Sequence, residues 1–340
     1  MKDVKNKKYV KEIVVTPEMY KENHIIPFYA KRKVYFAISF SIMLIGIIFL
    51  IINKGVQLDI QFKGGAMLKY SYVGEVDAEK AADVASEKLG RPVTTQVTED
   101  ISTGEQRLIL NIAGNYGVEA AAQGEFDAVL KEAFPDSELK LSESSMVEPF
   151  FGKRFLRNGI ISILLAGALV LVYVWIRFKN IGGLSAGAMA LVALLHDVIV
   201  VFFVCAIFRI PIGESFVAVA LSIIGYSIND TIVIYDRIRE NSKVYIGYPL
   251  EVVTDLSITQ SMMRSINTNV AVMVSVSLVY ILAAANNIDS IQSFALPMAI
   301  GSISGCYSTI CIAGPLWVMW KKKKGDSIIY EEKKPNPNYI

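Results

Sequence analysis

The stretch IGYSINDTIVIYDRIRE, residues 224–240, places Asp230 in an otherwise apolar run that covers residues 216–235. A run of this length and composition is typical of a helix that crosses a lipid bilayer. A carboxylate in the hydrocarbon region costs about 2.5–3.5 kcal/mol on insertion scales, so it indicates a function or a polar partner inside a bundle. The stretch therefore predicts a helical membrane protein with an ionisable group among its spans.

The composition of the whole chain supports a membrane protein. Hydrophobic residues make up 53% of the 340 residues, which provides enough apolar sequence for several spans. A spanning helix needs about 20 predominantly apolar residues. We predict six transmembrane helices, at residues 34–52, 156–176, 182–208, 212–235, 266–285 and 291–320.

Basic residues near the ends of these spans predict their orientation. Lys and Arg cluster before the first span and after the second, fourth and sixth, and all four positions lie on one side of the membrane. Cytoplasmic loops are enriched in Lys and Arg, so we predict a multi-pass protein of the cell membrane with both termini in the cytoplasm. The predicted division of the chain is a cytoplasmic N-terminal segment (1–33), helix 1 (34–52), an extracytoplasmic domain (53–155), a five-helix membrane domain (156–320) and a cytoplasmic C-terminal tail (321–340).

The domain between helices 1 and 2 has an alternating pattern of its own. Its periodicity predicts strands at 56–62, 66–72, 93–98, 106–112 and 138–142, and helices at 77–89 and 119–134. This order is typical of a small α+β layer similar to a ferredoxin-like unit. A further helix, predicted at residues 249–263, has spaced apolar residues that favour a position along the cytoplasmic interface.

Enzyme chemistry is disfavoured by the residues present. The extracytoplasmic domain contains neither Cys nor His, and the three cysteines all fall in apolar spans, where small buried hydrophobic residues are expected. We find no catalytic triad, phosphate-binding loop or metal-ligand cluster. We therefore predict neither an enzyme nor a bound metal or organic cofactor, and the near-neutral net charge of +2 gives no reason to expect a nucleic-acid partner.

Three ionisable positions lie in or beside successive spans. Asp230 is either an ion-responsive group or a carboxylate held near the interface by neighbouring helices. Asp197 follows His196 within an apolar run, and it has either an ion-coupling role or the role of a hydrogen-bond anchor. Arg264 shares a helical face with Thr268, and it either extends to the cytoplasmic surface or pairs with a buried acid such as Asp230.

Close helix packing is predicted in the last span. Gly301 and Gly305 have the small-xxx-small spacing that allows two helix backbones to approach each other. This pattern occurs in many membrane proteins and indicates packing rather than a particular activity.

These motifs together resemble the SecF members of the SecD/SecF family of protein-export membrane proteins, within the resistance-nodulation-division superfamily. The matching segments are GYSINDTIVIYDRIREN at 225–241, RSINTN at 264–269, LLHDVIV at 194–200 and FALPMAIGSISGCYSTICIAGPL at 294–316. One departure follows the first span, where QFKGG at 61–65 has Gln61 in place of the usual acid of the family's DFxGG motif.

The resemblance implies a six-helix half of a transporter-like pair, with SecD as the other half and the SecYEG channel as a further partner. It also implies that the external domains hold unfolded secretory polypeptide while proton or sodium flow drives their movement. By motif match, Asp230 would be the ion-responsive carboxylate, Arg264 its charge partner and Thr268 a polar neighbour, with Asp197 also assigned to ion coupling.

Two other functions remain open from the sequence. A scaffold subunit would stabilise SecD and the channel without ion coupling. A small-molecule or lipid exporter of the same superfamily would need larger paired external domains, and the single short domain of this chain argues against it.

Overall fold

The computed structural model describes residues 7–8, 20, 24–53, 55–59, 62, 65–74, 76–90, 93–99, 106–113, 120–147, 149–285, 288–326 and 331–332. In chain order its main elements are α1 (Arg32–Ile52), β1 (Gly65–Tyr72), α2 (Ala78–Leu89), β2 (Val93–Glu99), β3 (Gln106–Ala113), α3 (Ala120–Ala133), β4 (Lys140–Val147), α4 (Pro149–Arg177), α5 (Gly183–Ile207), α6 (Glu214–Val244), α7 (Leu250–Ala285), α8 (Asp289–Ser308) and α9 (Gly314–Lys323). A π-helical segment, Thr309–Ala313, joins α8 to α9, and short 3-10 turns lie at Pro135–Ser137 and Lys179–Ile181. Lys7–Lys8 pairs with Glu331–Glu332 as a two-residue antiparallel ladder.

The chain is mostly helical, and the prediction of six membrane helices is confirmed. Across the described ranges, six helical stretches are long and apolar enough to cross a membrane, the last of them running through α8 and α9. Each span has a most apolar stretch of its own. In α5, in α6 and in the last span at least half of that stretch is buried, whereas in α1, α4 and α7 about a tenth of it is buried. The bundle therefore has α5, α6 and α8 at its centre and α1, α4 and α7 at its periphery.

The α7 helix differs from its prediction. The segment 249–263 and the span 266–285 are one continuous helix, Leu250–Ala285, rather than an interfacial helix followed by a span. Thr254, Asp255 and Ser257 in its first turns are fully or almost fully buried, because this part packs against protein and not along a lipid surface. We refer to the end of the bundle where α1, α5 and α7 begin as the base.

The sheet domain follows α1 at the opposite end. Its four strands are antiparallel in the order β2-β3-β1-β4, with α2 between β1 and β2 and α3 between β3 and β4. Leu68 of β1 lies opposite Leu110 of β3, and both are buried in the domain core with Leu130 of α3. Alternate residues of each strand point to one face, which explains this apolar layer.

Two strand predictions in this domain need correction. The predicted strand at 56–62 is wrong where the structure describes it, because Leu58 makes one isolated bridge to Ile212 and does not join the sheet. Its alternating apolar residues pack instead with Ile212 and Cys205 at the end of the bundle, and residues 60 and 61 lie outside the described residues. The last strand begins at Lys140 rather than at residue 138, because Glu138 has a φ of 41°.

Candidate functional site

Asp230 lies in a small cleft between three helices. Its side chain points from α6 toward α7 and α8, and the residue is 6% exposed. The polar residues that line the cleft with it are Tyr226, Ser227, Asn229, Thr268, Asn269 and Ser302. Asn269 Nδ2 donates a hydrogen bond of 2.7 Å to the main-chain oxygen of Ser302, which joins α7 to α8 beside the cleft.

Arg264 lies on α7 and is exposed. Its charge acts on Asp230 electrostatically, although within the described part of the chain no ion pair joins their side chains within 4 Å. Thr268, one turn further along α7, lines the cleft with Asp230. The structure therefore brings Asp230 and Thr268 to one cleft and leaves Arg264 at its margin.

Asp197 has a different environment from Asp230. It lies on α5, its exposure is 0%, and three serine hydroxyls donate to its carboxylate. The distances are 2.8 Å from Ser227 to Oδ2, 2.7 Å from Ser304 to Oδ1 and 2.7 Å from Ser308 to Oδ2. We call Asp197 and these three serines the Asp197 cluster, and it joins α5 to both α6 and α8.

Two threonines extend the Asp197 cluster toward the base. The hydroxyls of Thr231 and Thr309 lie 3.0 Å apart, and both donate to the main-chain oxygen of Ser227. Buried hydroxyl and carboxylate groups destabilise a fold unless they are hydrogen-bonded, and the side chains of the Asp197 cluster and of the two threonines are all hydrogen-bonded. The serines at 304 and 308 were not singled out from the sequence, but their four-residue spacing places them on one face of α8.

His196 adds one contact to the Asp197 cluster. Its Nδ1 lies 3.1 Å from Asp197 Oδ1, and its Nε2 has no hydrogen-bond partner among the described residues. The imidazole faces the ring of Tyr307, whose hydroxyl donates to the main-chain oxygen of Tyr35 at 2.6 Å. This chain of contacts extends from the centre of the bundle to α1.

Close packing surrounds both acids. A Cβ atom on Gly301 would lie 2.0 Å from Ile223 Cδ1 and 2.8 Å from Val201 Cγ2, so α8 approaches both α6 and α5 at this position. A Cβ on Gly305 would lie 3.1 Å from Ser227 Cβ, which is a tighter contact than most real Cβ atoms make. The glycines therefore let α8 approach closely enough for Ser304 and Ser308 to reach Asp197.

A third buried acid, Asp255, was missed by sequence reasoning. It is 1% exposed near the start of α7, where Oδ1 accepts the Tyr29 N–H at 2.9 Å and Oδ2 accepts the Tyr20 hydroxyl at 3.4 Å. Burial raises the pKa of Tyr20, and the Asp255 carboxylate raises it further, so this phenol remains a proton donor at neutral pH. The available signal was an acid close in sequence to the apolar residues Val252, Val253 and Ile258.

Ion pairs at the base are partly exposed. Asp236 on α6 pairs with Arg177 of α4 at 3.3 Å and with Arg239 at 2.6 Å, and Lys322 of α9 pairs with Glu251 of α7 at 2.8 Å. Exposed pairs of this kind contribute about 0–1 kcal/mol each. These ion pairs lie at the ends of the helices at the base, and none of their residues lines the Asp230 cleft.

The outward faces of the peripheral helices differ in chemistry. The exposed side chains of α1 and α4 are largely apolar, as at Phe40, Ile51 and Leu164. The neighbouring faces of α6 and α7 expose a mixed polar set at the depth of the spans, and we call this set the polar face. Its members are Tyr226, Asn229, Arg264, Asn267, Thr268 and Ser275.

A polar face at this depth is costly against lipid. Polar and ionisable side chains in spans almost always face other helices or water-filled cavities. The described residues contain no group of three or more His, Cys, Asp or Glu side chains that could hold a metal ion. Fold and site thus define a class of protein: a multi-spanning membrane protein with an ionisable cleft that opens toward a polar lateral surface.

The particular family is shown by comparison with known proteins. Residues 126–323, more than half of the chain, match the family described as protein export membrane protein SecD/SecF, C-terminal. The chain is 32% identical to the protein translocase subunit SecF of Alicyclobacillus acidocaldarius, over 85% of this chain and 91% of that protein. This chain belongs to the SecD/SecF family, and the resemblance drawn from the motifs is confirmed.

Longer relatives contain the matched region as one part. The chain is 31% identical to the protein translocase subunit SecDF of Bacillus subtilis, over 94% of this chain but 42% of that protein. The fold is similar to the crystal structure of SecDF, a translocon-associated membrane protein from Thermus thermophilus, with a TM-score of 0.73 and 24% identity. That similarity covers 88% of this chain and 39% of the other, so this chain spans less than half the length of either SecDF protein. The curated relatives carry the names of translocase subunits and not of enzymes.

Proposed function

We propose that this chain is a SecF-like subunit of the Sec protein translocation machinery. In this proposal it works with a SecD-type partner and the SecYEG channel, and it uses a transmembrane ion gradient to promote the late stage of polypeptide export. The observation that carries the proposal is Asp230, a buried acid in a cleft that opens beside the polar face. Relatives named SecF and SecDF support the role in Sec translocation.

The polar face supports a membrane partner of the SecD type. Arg264 and its polar neighbours are exposed in this chain alone, and a second helical bundle would cover them. The single-chain SecDF of Bacillus subtilis, of which this chain matches 42%, supports a partner that is elsewhere a part of the same polypeptide. The apolar exposed faces of α1 and α4 would then contact lipid.

The sheet domain would be the part that handles unfolded secretory polypeptide. Its β-α-β-β-α-β order supports the ferredoxin-like interpretation of the sequence. We place it on the extracytoplasmic side and both termini in the cytoplasm, because the basic residues flanking the spans lie at the base. The domain is connected to the bundle through α1 and α4, so helix movement would reach it directly.

Ion coupling would act through the charge state of Asp230. A charge that crosses the membrane potential gains about 2.3 kcal/mol per 100 mV, enough to bias one helix arrangement over another. Proton or sodium binding at Asp230 would weaken its attraction to Arg264 and change how α6 and α7 pack. Thr268 would be a polar neighbour of this step, since it lines the same cleft.

We assign Asp197 the role of an anchor that supports ion coupling. Three serine donors and His196 already surround its carboxylate, which favours a fixed position over a cycling one. An anchor that holds α5, α6 and α8 together would leave α7 as the helix that moves. Movement of α7 would then change the polar environment of the Asp230 carboxylate.

The test is export of a secreted precursor into sealed inverted vesicles that contain this protein, SecD and SecYEG. Wild type is compared with Asp230→Asn, with and without an imposed proton or sodium gradient. Asp236→Asn is the matched control, because it makes the same chemical change on the same helix at the base. We expect the gradient to stimulate export in wild type and in the control, and to have no effect in Asp230→Asn.

The scaffold function is the second candidate, and the Asp197 cluster favours it, because a fully hydrogen-bonded buried network is typical of a rigid core. Equal stimulation of export by the gradient in wild type and Asp230→Asn would show that Asp230 has a structural role, and it would support the scaffold function. Comparison of the two gradients in wild type would distinguish proton from sodium coupling.

A further inference from the structure

Residues 24–31, which precede α1, form a strap across the first turns of α7, and we call them the N-terminal strap. The Ile26 N–H donates to Thr259 Oγ1 at 3.1 Å, and the Tyr29 N–H donates to Asp255 Oδ1 at 2.9 Å. Asp255 and Thr259 are four residues apart, so they present their acceptors on one face of α7. The strap is therefore held by its main chain on two side chains of a single helix.

Side chains of the strap add apolar and cationic contacts. Phe28 is 5% exposed and belongs to the same buried cluster as Val253 of α7 and Trp317 of α9. The ring of Tyr29 lies 4.1 Å from the Arg32 guanidinium carbon and 5.5 Å from Lys322 Nζ. The strap thus connects the beginnings of α1 and α7 with the end of α9.

The strap and Asp255 need each other. A carboxylate that is 1% exposed is costly unless donors reach it, and here the donors come from Tyr29 and Tyr20 of the N-terminal region. The two strap N–H groups are half-buried, so loss of their acceptors would cost part of the free energy of a hydrogen bond. Removing the Asp255 carboxylate leaves the Tyr29 N–H without this acceptor, and removing the strap leaves Oδ1 of Asp255 without this donor.

The apolar stretch of α7 is less buried than those of α5 and α6, although α7 packs along α8 and α6. About a tenth of its most apolar stretch is buried, in contrast to at least half in α5 and α6. At mid-depth the hydrogen bond from Asn269 to the Ser302 main chain joins it to α8. Most of the buried residues of α7 lie in its first turns, so the contacts made at the base contribute to the position of the whole helix.

We propose that Asp255 is a positioning residue which clamps the N-terminal strap onto α7 and thereby sets the height and rotation of Arg264 and Thr268 at the Asp230 cleft. Arg264 lies nine residues beyond Asp255, which is about 13 Å along a helix with a rise of 1.5 Å per residue. The part of this inference that concerns export rests on the proposed function, whereas the clamp itself does not.

The test compares Asp255→Asn with Asp255→Leu in the full-length protein with its SecD partner in membranes. Asparagine keeps an oxygen that can accept the Tyr29 N–H, whereas leucine has similar bulk and no acceptor. Thr259→Val is a milder second variant that removes the other acceptor and keeps the branched shape. It preserves the test if the leucine variant does not fold.

The first measurement is hydrogen exchange of the strap amides. We expect exchange of residues 24–31 to accelerate at least tenfold in Asp255→Leu and measurably in Thr259→Val, and to stay near wild type in Asp255→Asn. The second measurement is the yield of cross-linking between cysteines introduced as Asn269→Cys and Ser302→Cys. We expect at least a threefold lower yield in the Asp255→Leu background and an unchanged yield with asparagine.

The third measurement is gradient-stimulated export, which should be lost in Asp255→Leu and retained in Asp255→Asn. Unchanged strap exchange in both Asp255→Leu and Thr259→Val would overturn the clamp. Faster strap exchange with wild-type cross-linking and export would overturn the positioning role. If Asp230→Asn exports normally, the ion-coupling proposal fails, while exchange and cross-linking still decide whether Asp255 positions α7.

Discussion

Asp197 on α5 and Ser308 on α8 are joined by a hydrogen bond of 2.7 Å, and both residues have an exposure of 0%. The same carboxylate accepts hydrogen bonds from Ser304 on α8 and Ser227 on α6, so one acid connects three helices. Between helices in a membrane, the apolar surface provides little driving force, and hydrogen bonds and close packing replace it. The centre of this bundle therefore depends on a few polar contacts.

Replacement of Asp197 by alanine should destabilise the bundle. Each interhelical hydrogen bond contributes about 0.6 kcal/mol on average in membrane proteins, and up to about 1.7 kcal/mol. The carboxylate has three serine donors and a contact with His196, so we expect a loss of about 2–4 kcal/mol, measured by unfolding in mixed micelles. Ser308→Ala should lower the free energy of unfolding by less, because it removes only the hydrogen bond from Ser308 to Asp197.

Ser275→Ala is the matched control for this prediction. Ser275 is exposed on α7, and its hydroxyl donates within its own helix to the main-chain oxygen of Ala271. The alanine variant should stay within about 0.5 kcal/mol of wild type, as most surface changes do. A similarly small effect of Asp197→Ala would contradict the anchoring role of the carboxylate.

Gly301→Ala should weaken the packing of α8 on α6 and α5. The added methyl group would lie 2.0 Å from Ile223 Cδ1 and 2.8 Å from Val201 Cγ2, so the side chains of both neighbours must move or α8 must shift away from them. Overpacking of this kind costs about 1–3 kcal/mol. Thermal unfolding of the detergent-purified protein should show a lower midpoint than wild type.

Gly225→Ala serves as the matched substitution on α6. A Cβ atom at Gly225 would meet nothing within 4 Å among the described residues, so the change should be neutral or slightly stabilising. Equal melting temperatures for the two alanine variants would show that α8 does not depend on the close approach at Gly301.

Much of the membrane fold was predictable because its signals are local. Apolar runs and flanking charges are read directly from consecutive residues, and they gave the six helices and the family. The acceptors and donors around Asp197 come from residues up to 111 positions apart, and no local pattern relates them. The Asp255 clamp was missed for the same reason, since its donors lie in the N-terminal region.

The same limit explains the strand at 56–62 that was predicted wrongly. Alternation shows that one face of a segment is buried, but it does not identify the element that covers this face. At Leu58 the neighbour is Ile212, in the connection between α5 and α6, and not another strand of the sheet.

The sheet domain should lose stability at alkaline pH through Tyr70. Tyr70 is buried in β1, and its hydroxyl donates to the Asp127 carboxylate on α3. Burial raises the pKa of Tyr70, and the hydrogen bond to Asp127 raises it further. Because the unfolded chain loses this proton first, the stabilisation is complete below about pH 10 and decreases as the pH rises toward the higher folded-state pKa.

Tyr70→Phe should therefore reduce the alkaline loss of stability. At neutral pH the variant should be less stable by about 1 kcal/mol, because one hydrogen bond is lost. The measurement is hydrogen exchange of residues 65–72 in the full-length protein at pH 8 and pH 10.5, corrected for intrinsic exchange. Tyr173→Phe, at an exposed position of α4, should leave the pH dependence of the domain as in wild type. An unchanged pH dependence in Tyr70→Phe would assign the alkaline loss to another group.

Asp230 and Arg264 should show weak energetic coupling in the arrangement seen here. Within the described residues no ion pair joins their side chains within 4 Å, although the charge of Arg264 acts on Asp230. The Coulomb energy of two charges falls with their separation, and the exposed guanidinium of Arg264 is screened by solvent, so the coupling should be weaker than in a direct ion pair. We expect Asp230→Asn, Arg264→Gln and the double variant to form a nearly additive cycle in unfolding experiments on the purified chain. The same cycle measured with SecD bound tests whether the partner strengthens this coupling, because a shorter separation of the two charges and less solvent around Arg264 would both increase it. Coupling above about 1 kcal/mol in the isolated chain would contradict the expected near-additivity.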